Sequence, residues 1–363
     1  MSDNKDVDLA RIRERIDSLD EKIEALISER AHIAKQVGAT KERGRSTADY
    51  YRPEREAQVL RGVIERNQGP LADEEIVRLF REIMSACLAQ QEPLKVAYLG
   101  PEGTLTQTAV TKHFGHSVNA ISMPSVDEVF REVESEVADF GIVPLETFHD
   151  GVITHTLDMF ISSPLHICGE VELLVEQHLL SRGASLDGIK TVYANQQSLV
   201  QCRDWLKGMM KGVKLEQVAS STSAARRARD DAASGAIAGY AASRVYHLNV
   251  LAKNVEDRPD NRTRFLVIGR DLFAPSGCDK TSMLMSSSHK PGALQQLLKT
   301  LGTHEINMTR IESRPSNRGQ SDYVFFVDVE GHANDDNIAD ALTQLEKSAA
   351  TMRVIGSYPR AIL

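Results

Sequence analysis

The chain has 363 residues, of which 41% are hydrophobic and 26% charged, and its formal net charge is −8. These values are typical of an ordinary globular protein with two or three domains. The acidic balance argues against nucleic acid as a partner, because a phosphate backbone calls for a basic face. No apolar run reaches the ~18 residues of a membrane span, and the polar start MSDNKDVD is not a secretory signal. We therefore expect neither a nucleic-acid nor a membrane partner.

The cysteines are widely separated and form no CxxC pair. They are Cys87, Cys168, Cys202 and Cys278. This spacing disfavours both a disulfide framework and a zinc site. We expect reduced thiols in a cytosolic protein that holds no metal.

The first part of the chain is predicted to be all-α. Residues 7–42 are predicted to form one long helix, in which apolar residues recur in steps of three and four. This spacing predicts a seam that packs against another helix, either in the same chain or in a second one. The seam consists of Leu9, Ile12, Ile16, Leu19, Ile23, Leu26, Ile33 and Val37. A second helix is predicted from Pro53, which suits a first turn, and a third over 73–91.

The pattern changes at Pro93, after which short apolar strands and helices alternate. Strands are predicted at 139–145, 166–175, 189–193, 213–219, 236–239 and 264–269. This alternation is typical of α/β lobes with parallel pairing. After a break at 271–279, a strand–helix–strand–strand–helix–strand order predicts an α+β, ferredoxin-like unit. Its elements are predicted at 281–287, 291–302, 306–314, 321–329, 334–348 and 352–357. The predicted domains are 1–92, 93–272 and 279–363.

Two cations interrupt the first helix. Arg30 occupies a position where the seam would take an apolar residue, and Lys41 lies eleven residues later. At roughly 100° per residue, Lys41 returns to within about 20° of the same face. These two cations have two interpretations. Either they line a groove that binds an anion, or they extend to solvent from an ordinary helix pair.

Residues 8–92 resemble the all-helical class of chorismate mutase. The resemblance rests on RIRERIDSLDEKIEALISERAHIAKQVGATK, RPERE and RLFREIMSACLAQQE. It implies that Arg30, Arg55 and the partner chain's own copy of Arg13 clamp the two carboxylates of chorismate. It also implies that Lys41 and Gln91 bind the ether oxygen and that Glu56 holds the ring hydroxyl.

The implied reaction explains these residue types. Chorismate becomes prephenate by an intramolecular rearrangement, so the site must fold a flexible dianion and stabilise charge on the breaking C–O bond. Guanidinium groups bind carboxylates bidentately, and an ammonium suits a developing oxyanion. No cofactor is required.

Residues 95–269 resemble prephenate dehydratase, with the two-lobed architecture of periplasmic binding proteins. The matching segments are AYLGPEGT, VPLETFHDG, SLVQC, SSTSAARRA and DNRTRFLVIG. The resemblance implies that Thr263 supplies the catalytic hydroxyl for loss of water and carbon dioxide from prephenate. It implies a substrate-binding role for Glu146, Thr147, Gln201, Ser221, Thr222 and Arg264. The Gly-rich turn GPEGT predicts either an anion site or an ordinary tight turn.

Several polar positions depart from the family pattern. Thr147 stands where the family usually has Asn, and Gln177 stands where it has His. The family's Ser-His-Pro after Tyr193 is replaced by Ala194, Asn195 and Gln196. Because loss of one donor can lower a rate about 10²–10³-fold, the sequence leaves open an inert domain or one that decarboxylates prephenate without aromatising it.

Residues 280–360 resemble an ACT domain. The resemblance rests on Gly292, Ala293 and Leu294 at a helix start, and on Glu312, Ser313, Arg314 and Pro315 at a strand end. In dehydratases these segments line a phenylalanine site between paired domains. A helix N-terminus suits the carboxylate of the amino acid, and a small residue leaves room for its ring.

Three functions remain after this comparison. The first is a bifunctional, phenylalanine-inhibited enzyme of phenylalanine synthesis that acts on chorismate and prephenate as a homodimer or higher oligomer. The second is an active mutase with an inert or altered second domain. The third is a non-catalytic amino-acid sensor, which the six mutase-type residues disfavour.

Overall fold

The computed structural model describes residues 3–40, 51–91, 93–147, 151–287, 291–315 and 323–363, with the side chains of the first helix described over 9–37. Among the described helices, none is long and apolar enough to span a membrane. All four cysteines are free thiols, and only Cys278 is exposed.

The helical part contains α1 (Asp3–Thr40), α2 (Pro53–Arg66) and α3 (Asp73–Ala89), as predicted. Helices α2 and α3 contact each other, and Leu60 and Val63 of α2 and Val77 of α3 are almost fully buried. The predicted seam of α1 behaves differently, since each of its eight apolar side chains is between 46% and 64% exposed. One chain therefore leaves the apolar face of α1 uncovered.

The middle part forms two lobes. The first lobe holds a sheet in the order β2-β1-β3-β11-β5, with β4 paired to β3. Its strands are β1 (Lys95–Leu99), β2 (Asn119–Met123), β3 (Phe140–Thr147), β4 (Gly151–Val152), β5 (His166–Leu174) and β11 (Arg262–Gly269). Its helices are α4 (Leu105–Phe114), α5 (Val126–Glu134) and α6 (Thr154–Ser162).

The second lobe holds a sheet in the order β10-β6-β9-β7-β8. Its strands are β6 (His178–Ser181), β7 (Thr191–Ala194), β8 (Lys214–Gln217), β9 (Ser234–Ala238) and β10 (Asn249–Ala252). Its helices are α7 (Gln196–Gln201), α8 (Arg203–Met209), α9 (Ser221–Asp230) and α10 (Tyr240–Tyr246). The chain enters this lobe after β5 and returns through β11, which confirms the two-lobed prediction.

The predicted parallel pairing is only partly correct. Strands β1–β2, β1–β3, β7–β8 and β7–β9 are parallel. Strand β11 instead runs antiparallel to both of its neighbours, β3 and β5. Strand β11 returns from the other lobe and therefore enters the sheet from the opposite end. The apolar pattern of a strand does not show whether it pairs parallel or antiparallel, so the sequence could not predict this.

The C-terminal part has the predicted ferredoxin-like order. It comprises β12 (Asp279–Ser287), α11 (Ala293–Thr303), β13 (Met308–Pro315), β14 (Tyr323–Glu330), α12 (Asp336–Ser348) and β15 (Thr351–Pro359). Its antiparallel sheet has the order β13-β14-β12-β15. Helices α11 and α12 cover one face. The other face packs on the first lobe, because Leu284, Phe326 and Ile355 share a core with α5 and α6.

Candidate active sites

Two threonine hydroxyls meet at the end of the first-lobe sheet. Thr263 of β11 is the cross-strand partner of Thr147 of β3, so their side chains lie on the same face. Their Oγ1 atoms are 3.4 Å apart, and both residues are buried. This contact joins Thr263, the predicted catalytic residue, to Thr147, a predicted substrate-binding residue.

A second group lies in the other lobe. Gln177 Nε2 donates to Gln201 Oε1 at 3.3 Å, and Ser198 Oγ donates to Gln177 Oε1 at 3.3 Å. Asn195 Oδ1 caps α7 by accepting from the Ser198 amide at 2.7 Å, while Asn195 Nδ2 donates to Ser221 Oγ at 3.1 Å. Polar side chains that converge in this way can fix the orientation of a polar ligand.

The positions that depart from the family pattern are built into these contacts. Thr147 contacts Thr263, Gln177 contacts Gln201, and Asn195 contacts Ser221. Each is thus adjacent to a residue that matches the pattern. The departures therefore change donors and acceptors inside the candidate site and leave the surrounding fold intact.

The glycine-rich turn approaches the second lobe. Gly103 has φ +83°, and a Cβ atom added to it would lie 3.7 Å from the Cγ2 atom of Thr222. Thr222 is buried at the start of α9, with its Oγ1 2.9 Å from Ser220 Oγ. The Gly103 amide already donates to Gln107 Oε1 at 2.7 Å. The turn of the first lobe therefore lies against α9 and α10 of the second lobe. The Gly103 amide is already hydrogen-bonded and is not available to bind an anion.

The structure does not place Glu146 and Arg264 with the paired hydroxyls. Successive strand residues point to opposite faces, so these two neighbours of Thr147 and Thr263 face the C-terminal sheet. Arg264 donates to Glu170 and to Asp328, both at 2.9 Å. Among the described residues, Arg264 therefore contacts both its own lobe and the C-terminal sheet, and Glu146 contacts Arg310 of the C-terminal sheet.

Asn261, to which the family motifs assign no role, is buried two residues before Thr263. Neither Asn261 Nδ2 nor Asn261 Oδ1 has a hydrogen-bond partner among the described residues. An unsatisfied buried amide is uncommon. It directly precedes β11, two residues before Thr263, and this proximity is the sequence signal that could have identified it.

The predicted mutase residues are distributed along three helices. Arg13 and Arg55 are exposed and Arg30 is half-buried, while Lys41 lies outside the described residues. Gln91 Nε2 donates to the Ala34 carbonyl at 2.9 Å, which ties the end of α3 to α1. The arginines are thus available to a ligand or to a second chain.

Glu56 faces a cavity of about 330 Å³ between the helical part, the first lobe and the C-terminal residues. Glu56 Oε1 is 3.7 Å from Arg81 Nε. Burial raises the pKa of the Glu56 carboxyl to about 7, although Arg81 opposes the shift. In the same cavity, burial and Arg81 lower the pKa of His113 to about 3. The neutral His113 ring can therefore accept from the Tyr51 hydroxyl, 3.2 Å away.

The raised pKa of Glu56 predicts a pH-dependent stability. A carboxyl whose folded pKa is raised from 4.5 to about 7 stabilises the fold fully below pH 4.5, and this contribution is lost as the pH rises to about 7. Its full size is about 3 kcal/mol at most. Relative to Glu56→Gln, the wild type should lose free energy of unfolding across that window, as measured by urea unfolding.

The lowered pKa of His113 makes its contribution to stability change with pH in the opposite direction. His113 is present in both proteins, so its contribution cancels when the two free energies of unfolding are subtracted. Parallel pH profiles for the wild type and Glu56→Gln would show that the Glu56 carboxyl is not buried as described.

The predicted effector residues divide between two faces. Gly292, with φ +79°, precedes α11, and Leu294 packs against the core of the C-terminal domain (residues 279–363). In β13, alternate residues are exposed, so Ser313 lies on one face and Arg314 on the other. Arg314 Nη2 donates to Asp158 Oδ2 of α6 at 2.8 Å. Ala293 and Glu312 are half-buried, and Pro315 is exposed. Ser313 and Pro315 are therefore the members of this segment that face away from the first lobe.

Within the described part of the chain, no group of three His, Cys, Asp or Glu side chains is arranged to hold a metal. The candidate sites consist of hydroxyls, amides and ion pairs.

Family models match in three consecutive segments: chorismate mutase type II over residues 12–92, prephenate dehydratase over 96–272 and the ACT domain over 282–347. The bifunctional chorismate mutase/prephenate dehydratase of Pseudomonas aeruginosa is 49% identical over 359 residues, which is 98% of each chain. This chain belongs to the bifunctional chorismate mutase/prephenate dehydratase family.

Solved structures share the architecture of the last two segments. A prephenate dehydratase from Arthrobacter aurescens in complex with L-Phe is 32% identical with a TM-score of 0.68, covering 74% of this chain and 90% of that one. A protein described as a novel type of quorum quenching acylase is 25% identical with a TM-score of 0.69, covering 74% of this chain and 98% of that one. The same architecture thus occurs in proteins named for different reactions, so the chemistry must be argued from the site.

Proposed function

We propose that residues 1–92 convert chorismate to prephenate, that residues 93–272 convert prephenate to phenylpyruvate, and that residues 279–363 reduce activity when phenylalanine binds. The observation that carries the proposal is the buried Thr147–Thr263 hydroxyl pair in a chain that is 49% identical to a bifunctional relative over nearly its whole length. Supplying prephenate to the pure protein and identifying the product tests it. Free thiols agree with an enzyme that works in the reducing cytosol.

The mutase reaction requires no proton transfer. Guanidinium groups of Arg30, Arg55 and the partner subunit's Arg13 hold the two carboxylates, which brings the ends of the substrate into bonding distance. As the C–O bond breaks, Lys41 and Gln91 donate to the ether oxygen, and the new C–C bond forms within the same molecule. With a pKa near 7, a substantial fraction of Glu56 is neutral at neutral pH, and this form would be able to donate to, as well as accept from, the ring hydroxyl.

The mutase site is proposed to lie between two chains. The seam of α1 is an apolar face that α2 and α3 leave exposed in a single chain. Large exposed apolar faces mark interaction surfaces, and a regular seam on a long helix suits a second copy of the same helix. A homodimer would bury the seam and deliver Arg13 to the opposite site.

The dehydratase reaction removes the ring hydroxyl as water and the ring carboxylate as carbon dioxide. Thr263 Oγ1 donates a proton toward the leaving hydroxyl, the C–CO₂ bond breaks, and its electron pair completes the aromatic ring as the C–O bond breaks. Thr147 Oγ1, 3.4 Å away, orients the Thr263 hydroxyl. Thr263 must then recover a proton, since the water that leaves has taken one. Amides and hydroxyls of the second lobe, including Gln201, Ser221 and Thr222, bind the remaining carboxylate.

Phenylalanine is proposed to bind where Gly292, Ala293 and Leu294 meet the Ser313 face of a paired regulatory domain. Placing a side chain at Gly292 should block the aromatic ring and desensitise the enzyme. Gly292→Val also strains a left-handed backbone, so Gly292→Asn, which tolerates that conformation, is the cleaner variant. Gly212→Asn is a matched control, because Gly212 has φ +81° and nothing within 4 Å of an added Cβ.

We expect phenylalanine to inhibit the wild type and Gly212→Asn alike, and Gly292→Asn at least 5-fold more weakly, about the lower end of allosteric coupling. The inhibitory concentration of phenylalanine on dehydratase rate measures this. Equal inhibition of all three proteins would remove the sensor assignment and leave a structural domain.

A further inference from the structure

We propose that Arg310 and Asp328 of the regulatory sheet are positioning residues for the dehydratase hydroxyls. They hold Glu146 and Arg264, which are the chain neighbours of Thr147 and Thr263. This inference rests on the proposed dehydratase site, and it gives Glu146 and Arg264 a role other than contact with substrate.

The contacts come from three strands of the regulatory sheet. Arg310 Nε of β13 donates to Glu146 Oε2 at 3.0 Å. Asp328 Oδ2 of β14 accepts from Arg264 Nη1 at 2.9 Å. Tyr358 Oη of β15 accepts from Arg264 Nη2 at 3.1 Å. The sheet of the C-terminal domain (the regulatory sheet) therefore contacts β3 and β11 at adjacent positions, through Glu146 and Arg264.

The ion pairs around Arg264 form a group whose positive and negative charges balance. Three cations face three carboxylates, and the contacts between them are 3.4 Å or shorter: Arg264, Lys280 and Arg310 against Glu146, Glu170 and Asp328. Five of the six side chains are 11% exposed or less. Buried charges tolerate separation poorly, so a displacement of one member must be followed by its partners.

The same cross-strand geometry joins this group to the hydroxyl pair. Glu146 is the cross-strand partner of Arg264, and the next pair along is Thr147 with Thr263. The regular ladder between β3 and β11 is interrupted between Arg264 and Phe265. A bulge beside a site lets the strand end change its aim. The end of β3 therefore lies beyond the regular part of the ladder, and it contacts the regulatory sheet through the ion pair between Glu146 and Arg310.

Arg310 also lies next to the effector segment. It is on the same strand as Glu312, two residues earlier, and both are turned to the same side of β13. A shift of β13 on phenylalanine binding would reach Glu146 through one side chain and alter the 3.4 Å separation of the hydroxyls. A physical coupling between sites requires an element that both sites bias, and β13 fits that description.

The test replaces Arg310 with methionine, which keeps the apolar stem and removes the ion pair. We expect dehydratase kcat to fall roughly 10-fold to 10²-fold, as for a small misplacement of reacting groups. The KM for prephenate and the mutase rate should stay near their wild-type values, and phenylalanine inhibition should weaken. Arg310→Lys should restore part of kcat, because it returns the charge.

A positioning role also predicts an interaction with Thr147. In a Thr147→Val background, whose residual rate no longer depends on the hydroxyl pair, Arg310→Met should cause little further loss. Independent, multiplying losses would contradict action through Thr147. A purely structural effect would lower the active fraction and leave the inhibitory concentration of phenylalanine unchanged, which would also overturn the proposal.

Asp158→Asn is the matched control. It weakens the ion pair between Arg314 of the same β13 strand and α6, which carries no candidate catalytic residue. Its basal dehydratase kcat should stay at the wild-type value. Tyr358→Phe is the milder variant if Arg310→Met does not fold, since it removes one acceptor from Arg264 and should lower kcat in the same direction.

Two failures are distinguishable. Wild-type kcat in the folded Arg310→Met variant, or in Tyr358→Phe if the former does not fold, would overturn the positioning role and leave the proposed function standing. A wild-type protein that does not act on prephenate would refute the proposed dehydratase function and, with it, the reaction that these residues are said to position.

Discussion

Replacing Thr263 with alanine is expected to abolish phenylpyruvate formation while the conversion of chorismate to prephenate continues at the wild-type rate. Thr263 supplies the only hydroxyl within hydrogen-bond reach of Thr147 Oγ1 among the described residues. Loss of one such donor lowers rates by about 10²–10³-fold, and loss of the proton donor itself should exceed this. Steady-state rates with chorismate and with prephenate measure both reactions in one preparation.

Thr263→Ser and Thr263→Val separate the hydroxyl from the methyl group. The serine variant keeps the donor and should retain measurable dehydratase activity, whereas the valine variant keeps the shape and should be as inactive as alanine. If the alanine variant still formed phenylpyruvate at more than a tenth of the wild-type rate, the assignment of Thr263 would be wrong. If both reactions fell together in a folded protein, the division into separate domains would be wrong.

Replacing Arg30 with alanine is expected to lower mutase kcat/KM by at least 10²-fold and to leave dehydratase activity on supplied prephenate unchanged. A charge-assisted hydrogen bond contributes roughly 1.5–3 kcal/mol, and a guanidinium clamping a carboxylate makes two of them. Arg15→Ala is the control, because Arg15 is an exposed arginine of the same helix with no assigned role. Wild-type mutase kinetics in Arg30→Ala would contradict the assignment.

Mixing two inactive variants tests whether the mutase site is shared between chains. In a dimer of one Arg13→Ala chain and one Arg30→Ala chain, one site carries both changes and the other carries neither. After exchange of subunits, mutase activity should recover to about one quarter of wild type, since half of the twofold dimers are mixed and each has one intact site. No recovery after demonstrated subunit exchange would place Arg13 and Arg30 in the same chain's site.

The positions of most helices and strands could be predicted because apolar spacing fixes them locally. The seam of α1 follows a repeat of three and four, and the C-terminal order of elements follows from alternating periods of two and 3.6. Strand β2, whose residues are mostly exposed, and the short strands β4, β6 and β10 gave no comparable pattern. What covers the seam of α1 is set by a second molecule, which one sequence does not describe.

The candidate site was predicted residue by residue from motifs, and a motif alone does not say which face of a strand each of its residues occupies. Thr147 and Thr263 were expected near a substrate and do lie together. Glu146 and Arg264 were taken from the same motifs, but adjacent strand residues face opposite sides. Their partners, Asp328 and Arg310, come from a domain far along the chain, so no local pattern could reveal the ion group between them.

The most direct test of the central claim is to supply prephenate to the purified wild-type protein and identify the product. The proposed function predicts phenylpyruvate together with one carbon dioxide per prephenate consumed, and less of both when phenylalanine is added. Unchanged prephenate would show an active mutase joined to an inert second domain, and a decarboxylated product that keeps a non-aromatic ring would show that Thr147, Gln177 and Asn195 have altered the reaction. Either result would contradict the dehydratase assignment.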